Sequence, residues 1–372
     1  MRTILASLLL SSAMIAQVDV ADGAPVNPRS DCIGCLMPPE MVAPHIWVMR
    51  QPDRFWAAVI GNVEIIEQTN GVVLMDSGGS IADGRDIVKA VRRLTPKPIT
   101  AVGITHWHND HPLGIPGILE TYPHARIIAT PQTAEFMKTE LKVGVGKADA
   151  KLDADRAKNA AKVVNDLTAE SKKASNPPAM RHQYAVEAKW IAQRIKRQMG
   201  NYVVLPTETV ADRLLLDDPV APVEFRFLGT GNTHGDMIAW IPKQRTVASG
   251  DMVVWPSPYG FVGSMKPWLA TLHRLEALHF TTLIPGHGKV QRDRKYLATM
   301  EWSMRDILRH AQAAAASGKT KEHAFKGFDQ RAEQARFGAR DAWTKKWLND
   351  YWLEGMFETA FDETKGIPAN WK

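Results

Sequence analysis

"ITAVGITHWHNDHPLGI", residues 99–115, joins an apolar, β-branched run to His106, His108, Asp110 and His111. The run reads as a buried strand that stops where the histidines begin. In an extended His-x-His, side chains i and i+2 face the same way, so His106 and His108 can approach one cation from a strand end. Asp110 and His111 are adjacent and converge only if the chain turns there. Asn109-Asp110 followed by His111-Pro112 supplies the turn chemistry. Imidazole and carboxylate donors suit zinc, iron or manganese. Taken alone, the segment also reads as a polar loop, although three of the chain's twelve histidines fall within six positions of it.

Working outward, three more loops carry the same residue types. His234 lies in "GNTHGDM", Asp251 in "ASGDMV" and His287 in "IPGHGK". Each is expected at the end of an apolar strand, beside a glycine that lets the backbone turn. Upstream, "IWVMRQ", "AAVIGNVEIIEQ" and "GVVLMDSG" read as strands. "SIADGRDIVKAVRRL" places Ile81, Ile87, Val88, Val91 and Leu94 on one helical face. Downstream, "VEFRFLGTG", "MIAWIP", "RTVASGD" and "TTLIPGHG" read as strands, with a helix over "KPWLATLHRLEALH". Two β-rich blocks, each ending in histidine-bearing loops, suggest a two-sheet sandwich of related halves.

In order, spacing and context, His106-x-His108-x-Asp110-His111 followed by His234, Asp251 and His287 resembles the metallo-β-lactamase superfamily. The resemblance spans roughly residues 45 to 290, apart from a helical stretch. It implies an α/β fold: an αββα sandwich of two mixed sheets with outer helices and the metals at one edge. It assigns His106, His108 and His234 to one metal, Asp110, His111 and His287 to a second, and Asp251 to both. It implies two Zn²⁺, with Fe or Mn also compatible with the donors. A hydroxide shared between them would attack an ester, lactone, thioester or amide-like bond. Asp110 would be the catalytic residue that orients that hydroxide and moves its proton. Asp76 in "LMDSG" falls where the family carries a strand-end carboxylate and is expected to support the ligands rather than bind metal. Aspartate at position 251 differs from the Cys or Ser of true β-lactamases. A β-lactamase-type enzyme and an iron-dependent oxidative member remain the alternatives, as does a non-catalytic protein with a structural metal. No "GxSxG" nucleophile elbow is present.

The remaining chain bounds context and partners. With 45% hydrophobic and 23% charged residues, the composition is that of a globular protein. Residues 138–200 hold fourteen Lys/Arg against seven Asp/Glu, so the net charge of +6 is local to that segment. Residues 132–200 read as a helical insertion broken at Asn176-Pro177-Pro178, with the basic residues on a solvated face. Residues 291–372 read as a helical C-terminal extension with Trp302, Trp343, Trp347 and Trp352 spread through it, of which Trp347 and Trp352 read as core or interface aromatics. The metal-binding domain is placed at 38–290. Arg2 followed by Ile4–Leu10 and Ala13–Ala16 reads as a signal peptide within residues 1–24, implying a periplasmic or secreted protein with no transmembrane segment. In such a compartment Cys32 and Cys35 are expected to form a local disulfide. The expected partner is a small-molecule substrate. Export argues against nucleic acid, and the sequence leaves the oligomeric state open. Trp255, Tyr259 and Phe261 after Asp251, with Trp107 between two ligands, offer either an apolar substrate wall or loop packing.

Overall fold

In the computed structural model, residues 34–52, 59–260 and 263–368 are described. The expected signal peptide, Cys32 and Phe261 lie outside them. Cys35 is buried and disulfide-bonded.

The first sheet contains β1 (Glu40–Ala43), β2 (Ile46–Met49), β3 (Val63–Glu67), β4 (Val72–Met75), β5 (Ile99–Gly103) and β6 (Arg126–Ala129). β7 (Gly144–Val145) and β8 (Tyr202–Val203) pair with each other, and β9 (Glu208–Thr209) closes the first sheet beside β6. The second sheet runs in order through β10 (Arg213–Leu216), β11 (Val223–Phe227), β12 (Met237–Ile241), β13 (Thr246–Val254) and β14 (Thr282–His287). Both sheets begin with antiparallel hairpin pairings and then switch to parallel pairing, at β4–β5 and at β13–β14. The two blocks anticipated as related halves therefore share a pairing pattern.

Period-2 alternation divides the strand residues between two layers of core. From β4, Val73 and Met75 point between the sheets and meet Val223, Phe225, Met237 and Ala239. Val72 and Leu74 point outward, against Ile87 and Val91 of α1 (Ile81–Leu94) and Ile115 and Ile118 of α2 (Ile115–Leu119). Ser80 caps α1, its side chain accepting from the Asp83 N–H at 3.1 Å. On the second sheet, Ile238 and Val247 face α6 (Met265–Glu276) and α7 (Lys295–Ala316) through Trp268, Leu272, Met300 and Met304. The layers are thus helix, sheet, sheet, helix.

Two helical additions flank this sandwich. The segment 131–203 contains α3 (Pro131–Thr139), α4 (Ala150–Lys172) and α5 (Pro178–Gln198), the last two parted where Asn176-Pro177-Pro178 breaks the pattern. It also contains the short β7–β8 pairing, which lacks the apolar length that marks a strand in sequence. Basic residues here do more than face solvent. Arg194, itself buried, donates to buried Asp83 at 2.9 Å, and Arg197 bridges Asp83 and Asp86, each at 2.9 Å, tying α5 to α1. After α7 follow α8 (Lys321–Lys326), α9 (Arg331–Arg336), α10 (Ala342–Leu348), a π-helical turn at Asn349–Leu353, and α11 (Glu354–Thr364). Trp343 and Trp347 pack on Tyr184 of α5, joining the C-terminal helices to the insertion. Trp352 sits in the outer core and donates from its indole N–H to Ser303 at 2.9 Å. Among the described residues, no helix is long and apolar enough to cross a membrane.

Candidate metal centre

The centre forms where parallel strands end side by side. β4 and β5 finish in register at Met75 and Gly103, which brings Asp76 next to Thr105. The Asp76 carboxylate accepts from the Thr105 N–H and hydroxyl, both at 2.8 Å, and pairs with His111 Nδ1 at 2.7 Å. Because a carboxylate only accepts, this contact keeps a proton on His111 Nδ1, so that in the neutral imidazole a cation requires, the lone pair is on Nε2 and faces the site. Asp76 achieves this at φ 61°, in the left-handed region that aspartate tolerates better than most side chains. His287, the last residue of β14, is oriented similarly: its Nδ1 donates to the Ile60 carbonyl at 3.1 Å. Asp251 lies within β13 rather than beyond a strand end, at an irregularity in its pairing with β14.

Two glycines permit these approaches. A Cβ on Gly61 would stand 2.6 Å from the His111 ring, and one on Gly286 would stand 2.0 Å from Asp251 Oδ1. Any side chain at either position would displace a ligand.

Five of the anticipated residues face one another directly. His287 Nε2 is 3.2 Å from Asp110 Oδ2 and 3.3 Å from Asp251 Oδ1, and His111 Nε2 is 3.5 Å from each of the same two oxygens. His106 Nε2 is 3.6 Å from the other Asp251 oxygen, Oδ2. His108 joins the group through its Nδ1, 2.9 Å from His106 Nε2. Asp251 therefore presents Oδ1 to His111 and His287 and Oδ2 to His106.

Donor chemistry fits a divalent cation. Asp110 Oδ2, His111 Nε2, Asp251 Oδ1 and His287 Nε2 are all buried without a hydrogen-bond partner. One donor atom each from Asp110, His111 and His287 lies within 4.8 Å of the others, and the same holds for His106, His111 and Asp251. Buried polar atoms left unpaired are costly, and a cation among them would satisfy all four. Electrostatics carry the same signature. Burial alone would lower the pKa of His111 and His287, but Asp110, Asp76 and Asp251 around the first, and Asp251 and Asp110 around the second, raise them to about 9 and about 10. Burial would raise Asp110 and Asp251, yet the neighbouring imidazoles hold both below the ordinary carboxylate range. The pocket thus favours positive charge among its carboxylates. His106 behaves oppositely: burial, then the neighbouring histidines, lower its pKa well below the usual value and keep it a neutral donor.

His234, expected as a ligand of the first metal, does not join this group. Its turn is closed by Asp236, whose carboxylate accepts from the Thr233 N–H at 2.6 Å and the Thr233 hydroxyl at 3.1 Å. The Gly235 carbonyl is held by the hydroxyls of Thr130 and Thr133 at 2.7 and 2.8 Å. This tight loop turns His234 to the exposed surface and buries Asn232. Asn232 donates to Asp251 Oδ2 at 3.3 Å. In the sequence His234 stands at a strand end beside a glycine, as a ligand would, whereas an amide side chain carries no metal-ligand signal.

Beside the ligands opens a cavity of about 560 Å³. Its walls include Val59, Leu113, Leu141, Ile195, Trp107 and Tyr259, with Lys142 and Arg156 adding positive charge and His108, Asp110 and Asp251 reaching it from the centre. The insertion and the C-terminal helices both contribute, through Arg156 and Tyr351. Of the aromatic loop after Asp251, Tyr259 lines the cavity, whereas Trp255 packs under Lys289, whose ammonium sits 4.7 Å from its ring. Trp107 stacks on Phe136.

Comparison with known proteins places the fold. The family model described as the metallo-beta-lactamase superfamily matches residues 56–287. A linear primary-alkylsulfatase of Pseudomonas sp. is 21% identical over 263 residues, covering 66% of this chain and 44% of that protein. An atrochrysone carboxyl ACP thioesterase of Aspergillus terreus is 30% identical over 63 residues, 17% of this chain and 20% of that one. Among solved structures, the stereoselective inverting sec-alkylsulfatase Pisa1 from Pseudomonas sp. aligns with a TM-score of 0.59 at 17% identity, over 90% of this chain and 51% of that one. The chain spans about half the length of the alkylsulfatases it matches, or less.

Proposed function

The chain belongs to the metallo-β-lactamase superfamily, and from that premise we propose that it is a metal-dependent hydrolase of a small-molecule ester, lactone, thioester or amide-like bond. The observation that carries this reading is the set of four buried, unpaired donor atoms of Asp110, His111, Asp251 and His287, with Asp110 and Asp251 lining a substrate-sized cavity. Such a cavity supplies what a hydrolase needs beside its metal: apolar wall, a few polar groups and access.

His106, His108, Asp110, His111, Asp251 and His287 would hold the cations, which we take to be zinc from the nitrogen-rich donor set. When bound, they supply Lewis acidity to a water and to the electrophilic centre of the substrate. Asp110 is placed to accept a proton from that water, with its Oδ2 free of hydrogen bonds and His287 beside it. Asp76 and the Ile60 carbonyl hold two imidazoles in the tautomers that face the site. Val59, Leu141 and Ile195 exclude water from an apolar substrate portion. The apolar lining suits a substrate with an alkyl portion, and the alkylsulfatase similarity supports including alkyl sulfates among the candidates.

Export to the periplasm or medium belongs to the same proposal, on the strength of the N-terminal pattern. The test is a hydrolysis screen of purified, zinc-loaded protein against lactones, β-lactams, thioesters, aryl esters, phosphodiesters and alkyl sulfates. Turnover of one class, abolished by chelation, is the expected result. No turnover of any class by protein of verified metal content would overturn the proposal.

A further inference from the structure

The Asp251 carboxylate divides the centre into two unequal halves. Its Oδ1 faces His111 and His287, and with Asp110 Oδ2, His111 Nε2 and His287 Nε2 it makes four buried atoms lacking hydrogen bonds. Its Oδ2 faces His106, and through it His108. The same Oδ2 accepts from Asn232 Nδ2 at 3.3 Å. Since a carboxylate oxygen can only accept, that contact fixes which end of the amide is nitrogen. Asn232 Oδ1 is therefore the other end, buried and without a hydrogen-bond partner. Asn232 is 1% exposed, on the His106 side of Asp251, whereas His234 two residues on is exposed.

We infer that Asn232, through its amide oxygen, is the remaining protein ligand of the His106–His108 cation, so the two metal sites differ in strength. The inference rests on the metal-centre reading above but not on which bond is cleaved. Its chemistry follows from donor type. An amide oxygen is a neutral, harder and weaker donor to zinc than an imidazole. The site formed by Asp110, His111, His287 and Asp251 combines two imidazoles with two carboxylates and binds its cation more tightly. The site formed by His106, His108, Asn232 and a shared Asp251 oxygen binds its cation more loosely and exchanges it more readily.

The test is a zinc titration of the metal-stripped, full-length protein against a competing chromophoric chelator, with no substrate present. Wild-type protein should take up two ions in separate steps. Asn232→His should tighten the weaker step about tenfold or more, because it substitutes an imidazole for the amide. Loading with Co²⁺ should show the visible bands of the weaker site shifting in the same variant. Asn232→Ala should weaken that step about tenfold or more and leave the tighter one unchanged. His234→Ala should alter neither step. Two equal steps in the wild type, one ion only at saturating zinc, unchanged steps in Asn232→Ala, or loss of the weaker ion in His234→Ala would each overturn the inference. The gain expected for Asn232→His cannot arise from misfolding. A protein that binds zinc in this pattern yet hydrolyses nothing in the screen would keep this inference and remove the hydrolase reading.

Discussion

Asp110 answers to two demands that a single substitution separates. In the proposed function it offers one oxygen to the cation and an acid–base group to the water, so Asp110→Asn keeps the volume and removes the anion. In steady-state kinetics with metal content measured on the same samples, kcat should fall about 10²–10⁴-fold. KM should change less, because the apolar wall still holds the substrate. A fully metallated variant with wild-type kcat would remove Asp110 from the chemistry. Asp76 acts one step further out, through the Nδ1 proton of His111. Asp76→Asn tolerates the same left-handed backbone but carries no charge to fix that proton. Zinc affinity should fall about 10–100-fold in a chelator competition, and an unchanged affinity would show that His111 needs no such support. At this scale most of the centre was legible in sequence, because His106, His108, Asp110, His111, Asp251 and His287 are residue types with few other reasons to cluster. Asn232 and His234 were not, since which of them points inward depends on the Thr233–Asp236 turn and not on donor type.

Elements place these residues, and one long-range tie holds the insertion in position. Asp83 sits in the first turn of α1, buried between Arg194 and Arg197 of α5. Burial would raise its pKa, but the two guanidiniums outweigh that and lower it. A depressed carboxylate contributes stability that is fully present above its unfolded pKa of about 3.9 and is lost as pH falls through the folded value. Asp83→Ala leaves a buried arginine uncompensated and should cost about 3–5 kcal/mol in chemical denaturation near neutral pH. A loss under about 1 kcal/mol would mean the pair gives the fold little more than a surface bridge does. Nothing local announced this contact. The basic run looked like a solvated helix face because its acidic partner is more than a hundred positions away. The strands were easier to read, since alternation between two cores leaves a mark in the sequence itself. β7 and β8, two residues each, leave no such mark.

The whole molecule closes the cavity with parts that lie far apart in the chain: strand-end loops, the insertion and the C-terminal helices, the last through Tyr351. Those C-terminal helices carry their own pH sensitivity. Burial, with the nearby Asp306 carboxylate, raises Glu333 to about 7. The folded form therefore holds its proton longer than the unfolded chain, and stability should decline as pH rises from about 4.3 to about 7. Glu333→Gln should raise the melting temperature above pH 7 and change it little near pH 4. An equal effect at both would contradict this sign. Helical character of the C-terminal region was plain in sequence, but its reach to the cavity beside the candidate metal centre was not, because docking of α10 on α5 is a tertiary fact. The central claim is that the buried donors of Asp110, His111, Asp251 and His287 hold the cation on which hydrolysis depends. The most direct measurement is turnover of the substrate found by the screen, followed as zinc is returned to metal-stripped protein and its content is assayed in the same samples. Activity should be absent from the stripped protein and rise with occupancy of the centre, and His287→Ala should lose both together. Full turnover by stripped protein, or by His287→Ala lacking its metal, would contradict the account.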